Sequence, residues 1–275
     1  MSTLGTAVRL VATDLDGTLL RRDGTVSPRT AALLKRINAG GVHVALVTGR
    51  PVRWVTSVYE QLHAPLPSVC ANGAIVYDPV TDTILRADPL APELVGEVCR
   101  RLRAELPEVT FAVEVSNGRE MRYEKTYPIF PDADPAVVKM VQALDDLCTA
   151  PAIKLIARMN GVDSAGFAAR VSACVAGLVE ATHSSDSGFV EISAAGVTKA
   201  AGLAWLCERL GVSAGGVVAF GDMPNDVPML SWAGRAVAVA NAHPAVREVA
   251  NDVTVSNEED GVAAYLEGLF RELPG

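Results

Sequence analysis

The chain has 275 residues, 49% hydrophobic, 20% charged and 5% aromatic, with a formal net charge of −8. That apolar content fills one large or two ordinary domains and excludes a disordered chain. The negative balance and the lack of a dense basic block argue against nucleic acid as a partner; Arg100-Arg101-Leu102-Arg103 reads as the solvated side of a helix. No apolar run reaches the roughly 18 residues of a membrane span, and the first one, stopping at Asp14, is too short for a signal peptide. The five cysteines form no C-x-x-C pair and the four histidines stand alone. Free thiols, a reducing cytoplasmic setting and the absence of zinc are the expectation.

Residues 8–13 read as a buried strand that ends abruptly in Asp14-Leu15-Asp16-Gly17-Thr18-Leu19. In an extended backbone residues two apart share a face, so Asp14 and Asp16 can project together. Two adjacent carboxylates repel unless a cation or a shared proton lies between them. A helix follows, with Ser27 as N-cap and Pro28 at its first position, and stops at Gly40-Gly41. Residues 42–47 form a second strand ending in Thr48-Gly49-Arg50-Pro51, then a helix over 51–62 and a third strand over 67–71. Asn72-Gly73 turns the chain into a hairpin arm over 74–78. Strands separated by helices of this length imply right-handed crossovers and a parallel sheet.

The rhythm changes over residues 80–187. Short strands are expected at 83–87, 110–115, 119–123, 153–158 and 178–183, and helices near 91–104, 134–148 and 163–176. This reads as an inserted α+β domain with mixed or antiparallel pairing. It also holds the polar loop Pro128-Ile129-Phe130-Pro131-Asp132. The parallel pattern is expected to return near Gly188: a strand at 189–193, a helix at 198–210, and an apolar strand at 216–220 ending in Gly221-Asp222. A helix after Asn225, strands at 236–240 and 253–255, and helices at 244–250 and 261–273 complete the chain. The expected fold is α/β: a Rossmann-like three-layer parallel-sheet core from 1–79 and 188–275, with an α+β cap domain over 80–187.

Ligands of open parallel sheets bind outside the carboxyl ends of the strands. That edge collects Asp14, Asp16, Thr48, Gly49, Lys199, Asp222, Asn225 and Asp226. Several acidic oxygens suit a hard cation such as Mg²⁺, and lysine with threonine suits the other side of a phosphate. Taken singly, Lys199 would be a solvated helix residue, Asp226 a helix-dipole partner, Asn225 an N-cap and Asn72 a turn residue. Arg50 could face the site or pair with a core carboxylate.

The D-x-D-G-T-L stretch, the later V-T-G-R, Lys199 in Gly196-Val197-Thr198-Lys199, and G-D-x-x-N-D resemble the haloacid dehalogenase-like phosphatases. The ordering, with Ser27-Pro28-Arg29-Thr30 and Ala240-Asn241-Ala242-His243-Pro244, is most similar to the Cof-like branch, whose large cap lies between the second and third motifs. One departure is Ala240, where that branch usually has glycine before the asparagine. The resemblance implies a phosphatase acting on small phosphorylated metabolites. Asp14 would be the nucleophile, forming an aspartyl-phosphate, and Asp16 the general acid and base. Asp14, the Asp16 carbonyl and Asp222 would hold Mg²⁺, with Asp226 ligating directly or through water. Thr48, Gly49, Lys199, Arg50 and Asn225 would surround the transferring phosphoryl oxygens. A phosphohexomutase-like transferase and a non-catalytic phosphometabolite-binding module are the alternatives. A monomer or homodimer is expected.

Overall fold

The computed structural model describes residues 8–129, 134–184 and 188–270. In chain order the first half runs β1 (Leu10–Thr13), α1 (Pro28–Ala39), β2 (His43–Val47), α2 (Thr56–Leu62), β3 (Ser68–Cys70), β4 (Ile75–Asp78), β5 (Thr83–Ala87), α3 (Pro92–Glu105), β6 (Thr110–Val115) and β7 (Glu120–Glu124). It continues with β8 (Val138–Val141), α4 (Leu144–Leu147), β9 (Lys154–Arg158), α5 (Ser164–Val175), β10 (Val179–Thr182) and β11 (Phe189–Ala194). Then come α6 (Lys199–Leu210), β12 (Val217–Gly221), α7 (Val227–Trp232), β13 (Arg235–Ala238), α8 (Pro244–Val249), β14 (Asp252–Val253) and α9 (Gly261–Leu269). Among the described residues these strands form two sheets, ordered β14-β13-β12-β1-β2-β3-β4-β5 and β10-β11-β9-β6-β7-β8.

β1 lies between β2 and β12 and is parallel to both; Thr13 stands opposite Leu46 and Phe220. Its alternate side chains enter opposite layers. Val11, Leu46 and Phe220 pack with Leu34, Ile37, Val58 and Leu266 from α1, α2 and α9. Leu10, Val47 and Ala219 pack with Leu203, Leu206, Met229 and Val246 from α6, α7 and α8. Each fully buried Val, Leu, Ile, Met or Phe side chain among them contributes roughly 1.5–3 kcal/mol. The three layers fix the carboxyl ends of β1, β2 and β12 side by side, and the chain leaves them at Asp14, Thr48 and Asp222.

The helices start and stop as the sequence dictates. Ser27 accepts a bond from the Thr30 amide ahead of Pro28, and Thr198 caps α6 through the Ala201 amide. Gly211, at φ +65°, ends α6 in the left-handed region.

The second sheet has one face covered by α3 and α5. Val98, Leu102, Phe167 and Val171 pack there against Phe111, Val113, Leu155 and Val190. The other face carries Glu114, Lys154 and Glu191 and is turned toward the first sheet. Arg53, from the turn before α2, pairs with Glu114 and donates to the Gly118 carbonyl at 2.9 Å. Lys154 donates to the Gly49 carbonyl.

Four expectations need correction. Residues 83–87 lie in the first sheet, antiparallel to β4, because a short turn at 79–82 keeps the strand beside its neighbour. Residues 189–193 do not restart the parallel sheet. β11 is antiparallel to both β9 and β10. Val190 and Ile192 enter the α3/α5 core while Glu191 faces away, an alternation suited to a sheet with helices on one face only. Residues 134–148 hold β8 and the four-residue α4 rather than one helix; Val138 and Val141 favour extended backbone and pair with β7. The helix expected over 51–62 begins as a 3-10 turn at Val52–Trp54. The expected end of the last helix at residue 273, residues 130–132 of the polar loop and the boundary at 187 lie outside the described residues.

Candidate active site

Strand β1 ends at Thr13, and the chain turns at once. Asp14 is buried and points to Lys199, whose Nζ donates to Asp14 Oδ1 at 2.7 Å and to Asp226 Oδ1 at 2.6 Å. Lys199 is the first residue of α6 and only 1% exposed. Thr18 Oγ1 donates to Asp222 Oδ1 at 3.0 Å, tying the first loop to the loop after β12. Asp226 Oδ2 accepts the backbone amides of Asp222, at 3.0 Å, and Met223, at 3.1 Å. Both Asp226 oxygens are therefore engaged in holding the site's own loop and lysine.

The electrostatics follow from that packing. Asp14, Asp222 and Asp226 bring ligand atoms within 4.8 Å of one another. With all three carboxylates ionised against one ammonium, the cluster would carry an excess of two negative charges. Burial pushes the Asp14 carboxyl well above its ordinary range; Lys199 pulls it back, while Asp226, Asp222 and Asp16 push it further. Burial, with Asp226 next, pushes Asp222 up to about 7, tempered by the Thr18 bond and Lys199. Burial alone would lower Lys199, but Asp14 and Asp226 outweigh it and hold the ammonium above its ordinary value. A buried all-oxygen donor set with excess negative charge fits a hard divalent cation. The cluster can bind a metal ion.

Asp16 and Asp14 take different partners. Arg50 grips Asp16 with two bonds, Nε to Oδ2 at 2.8 Å and Nη2 to Oδ1 at 2.6 Å. The Asp16 side chain is 59% exposed. Arg50 thus pairs with a carboxylate, but with the exposed one of Asp16, two residues from Asp14, rather than with one in the core. Thr48 is buried, and its Oγ1 accepts from the Arg50 amide at 3.0 Å. With that lone pair engaged, the hydroxyl proton is left to donate elsewhere.

Asn225 is buried beside this loop rather than capping α7, and its Nδ2 donates to Asn72 Oδ1 at 3.0 Å. Asn225 Oδ1 and Asn72 Nδ2 are buried without a partner among the described residues. Asn72 reads in the sequence as a turn residue whose loop reaches the same sheet edge, and the structure puts it there. Both Ala71 and Asn72 adopt positive φ, 49° and 56°, and Gly73 approaches α6 so closely that a Cβ would lie 2.0 Å from the Thr198 carbonyl. The turn thus delivers an amide to the site. Asn241 Nδ2 donates to the Gly17 carbonyl at 2.8 Å and so braces the first loop.

Sequence reasoning missed the wall contributed by the second sheet. Lys154 and Glu191 form a buried ion pair, and Ser184 Oγ donates to Glu191 Oε2 at 2.8 Å. The available signal was one charged residue inside each of two apolar strands, Ile153-Lys154-Leu155-Ile156 and Val190-Glu191-Ile192.

Comparisons with known proteins place the chain among its relatives. A family profile described as haloacid dehalogenase-like hydrolase matches residues 11–266. The 5-amino-6-(5-phospho-D-ribitylamino)uracil phosphatase YitU of Bacillus subtilis is 30% identical over 262 residues, 95% of this chain and 97% of that protein. The pyridoxal phosphate phosphatase YbhA of Escherichia coli is 30% identical over 268 residues, 94% of this chain and 97% of that one. In structure, SMU.1108c of Streptococcus mutans superposes with a TM-score of 0.83 over 97% of this chain and 100% of the other, at 22% identity. The chain belongs to the haloacid dehalogenase-like hydrolase family, in its Cof-like branch, and is a phosphoric monoester hydrolase. Among the described residues no helix is long and apolar enough to cross a membrane.

Proposed function

We propose that this chain is a Mg²⁺-dependent phosphatase that hydrolyses small-molecule phosphomonoesters through an aspartyl-phosphate on Asp14. The observation that carries the reading is the Lys199 ammonium pinned between Asp14 and Asp226 beside Asp222, at the carboxyl ends of parallel strands. Lys199 engages Asp14 Oδ1, leaving the second oxygen to attack phosphorus. The bond from phosphorus to the ester oxygen breaks, and Asp16 gives the leaving oxygen a proton. Water then attacks the aspartyl-phosphate, Asp16 takes its proton, and inorganic phosphate leaves with Asp14 restored. Arg50 occupies both Asp16 oxygens here, so it releases at least one before Asp16 meets the leaving oxygen.

Asp14, Asp222 and the Asp16 backbone carbonyl would hold the cation, which neutralises phosphoryl charge when bound. Asp226 holds Lys199 and the Asp222 amide, and would meet the cation directly or through water. Thr48 Oγ1, the Gly49 amide, Lys199 and Arg50 would donate to the phosphoryl oxygens. Asn225 acts beside them through Asn72.

The six-stranded unit is read as the cap. Its strand pairing supports bounds near residues 88 and 194 in place of 80 and 187. Two curated relatives act on a phosphoribityl pyrimidine and on pyridoxal phosphate, which supports phosphorylated cofactors and their precursors, alongside sugar phosphates, as the substrate class. In this reading the enzyme works in the cytoplasm, as a monomer or homodimer, and its five free cysteines are at home there. The test is a phosphate-release screen over such esters with Mg²⁺ and with excess chelator. Release from at least one ester, silenced by the chelator, is expected. No release from any, or full activity in chelator, overturns the reading.

A further inference from the structure

We infer that Lys154, carried by the six-stranded sheet, is a positioning residue for the phosphoryl-binding loop Thr48-Gly49-Arg50, with Glu191 as its anchor. The inference rests on the phosphatase reading and extends it to residues outside the four motifs. Lys154 is 3% exposed and Glu191 4%. The Lys154 ammonium donates both to the Gly49 carbonyl and to Glu191 Oε1. Glu191 is fixed in turn by Ser184, whose hydroxyl donates to Oε2.

The Gly49–Arg50 peptide is thereby held at both ends. Its carbonyl accepts from Lys154, and its N–H donates to Thr48 Oγ1. The second bond turns the Thr48 hydroxyl proton away from its own loop. Orientation of this one peptide therefore sets the direction in which Thr48 donates. A rotated peptide would aim a carbonyl dipole where a donor is needed and release the Thr48 lone pair at the same time.

The Gly49 Cα is walled as well. A Cβ there would lie 3.1 Å from Asn72 Oδ1 and 3.4 Å from both Glu191 oxygens. Side chains from both sheets thus close on one glycine, and the acid that anchors Lys154 forms part of the wall. Two acids of the second sheet, Glu114 and Glu191, are available to two cations. Arg53 of the first unit takes Glu114, and Lys154 takes Glu191 while reaching across to the first unit. One of the two bonds that orient the Gly49–Arg50 peptide therefore comes from the second sheet.

Removing one member of a buried ion pair leaves the other charged and unpaired, so both are replaced together. In the Lys154→Met/Glu191→Met variant, kcat/KM for a phosphate ester should fall about 10–100-fold, the scale of a small misplacement of binding groups. Inhibition by orthovanadate, which mimics the transferring phosphoryl group, should weaken by the same factor. The Mg²⁺ concentration for half-maximal rate should stay within about twofold, a selectivity that a merely structural role would not produce. Folding is checked by circular dichroism and thermal melting. If the double variant does not fold, Glu191→Gln, which keeps volume and an acceptor, is read the same way with a smaller loss in kcat/KM and vanadate affinity. A folded variant with wild-type kcat/KM and wild-type vanadate inhibition overturns the inference. An inactive wild type instead indicts the phosphatase reading. Calorimetry with inorganic phosphate then reads the inference alone: binding weakened in the variant supports it, and equal binding overturns it.

Discussion

Gly17 and Asp222 are packed so closely that a Cβ on Gly17 would lie 2.2 Å from Asp222 Oδ2. Gly17 also adopts φ +80°, a conformation that side chains disfavour. The Asp-Gly pair after β1 therefore does more than turn the chain: it lets the loop after β12 seat its carboxylate beside Asp14. Gly17→Ala should displace that carboxylate and cost roughly 1–3 kcal/mol of backbone strain. Activity should drop at least about tenfold, with a higher Mg²⁺ requirement. A Mg²⁺ titration of phosphate release checks this, and an unchanged half-saturation point counts against it.

The Arg50–Asp16 pair makes a contrasting prediction. Its carboxylate is largely exposed, so the pair is worth no more than about 1 kcal/mol to the fold. Arg50→Ala should leave the melting temperature nearly unchanged. KM should rise roughly tenfold or more, because a charge-assisted bond to phosphate is lost. Steady-state kinetics separate the two effects; a large loss of stability with KM intact would contradict the assignment.

Much of the first sheet was legible because its strands are apolar runs ending in distinctive loops. β1, β2 and β12 lead into Asp14, Thr48 and Asp222, and register does the rest. The second sheet was harder. β11 resembles a core strand in composition, and only Glu191 at its middle signals a sheet with helices on one face only. Residues 83–87 and 134–148 misled for a related reason, since short segments take their structure from the neighbour they pair with. Within the site, the Asn72 turn was placed at the right sheet edge but its bond to Asn225 was not foreseen, and Lys154 was hidden by a sequence separation of 105 residues from Gly49.

Glu191 supplies a pH signature. Burial by itself would raise its carboxyl, but Lys154, with help from Ser184, outweighs burial and holds it below the ordinary 4.5. A folded value below the unfolded one means a stabilising contribution that is present above 4.5. That contribution is lost as pH falls through the folded value. Denaturant unfolding across an acid pH series should show this limb, and Glu191→Gln should flatten it. An identical acid dependence in wild type and variant would refute the pair's role.

The metal makes the opposite demand. Asp14 and Asp222 are raised by burial and mutual repulsion, so charging them costs stability as pH rises above their ordinary 3.8. A cation that offsets this cost should stabilise the fold at neutral pH, by about 2.7 kcal/mol at a hundredfold excess over its dissociation constant. Melting curves with and without Mg²⁺ test this. Asp222→Asn should abolish the shift; a shift of full size in that variant would place the ion elsewhere.

The central claim is that Asp14 carries the phosphoryl group. Asp14→Asn keeps the side chain's size and an acceptor for Lys199 while removing the nucleophilic carboxylate. The direct measurement is phosphate release by purified wild type and Asp14→Asn side by side, with Mg²⁺ and the best ester from the screen. The account predicts a loss of roughly 10⁴-fold or more in kcat, with the fold intact by circular dichroism. Release by Asp14→Asn at a rate comparable to wild type would contradict it.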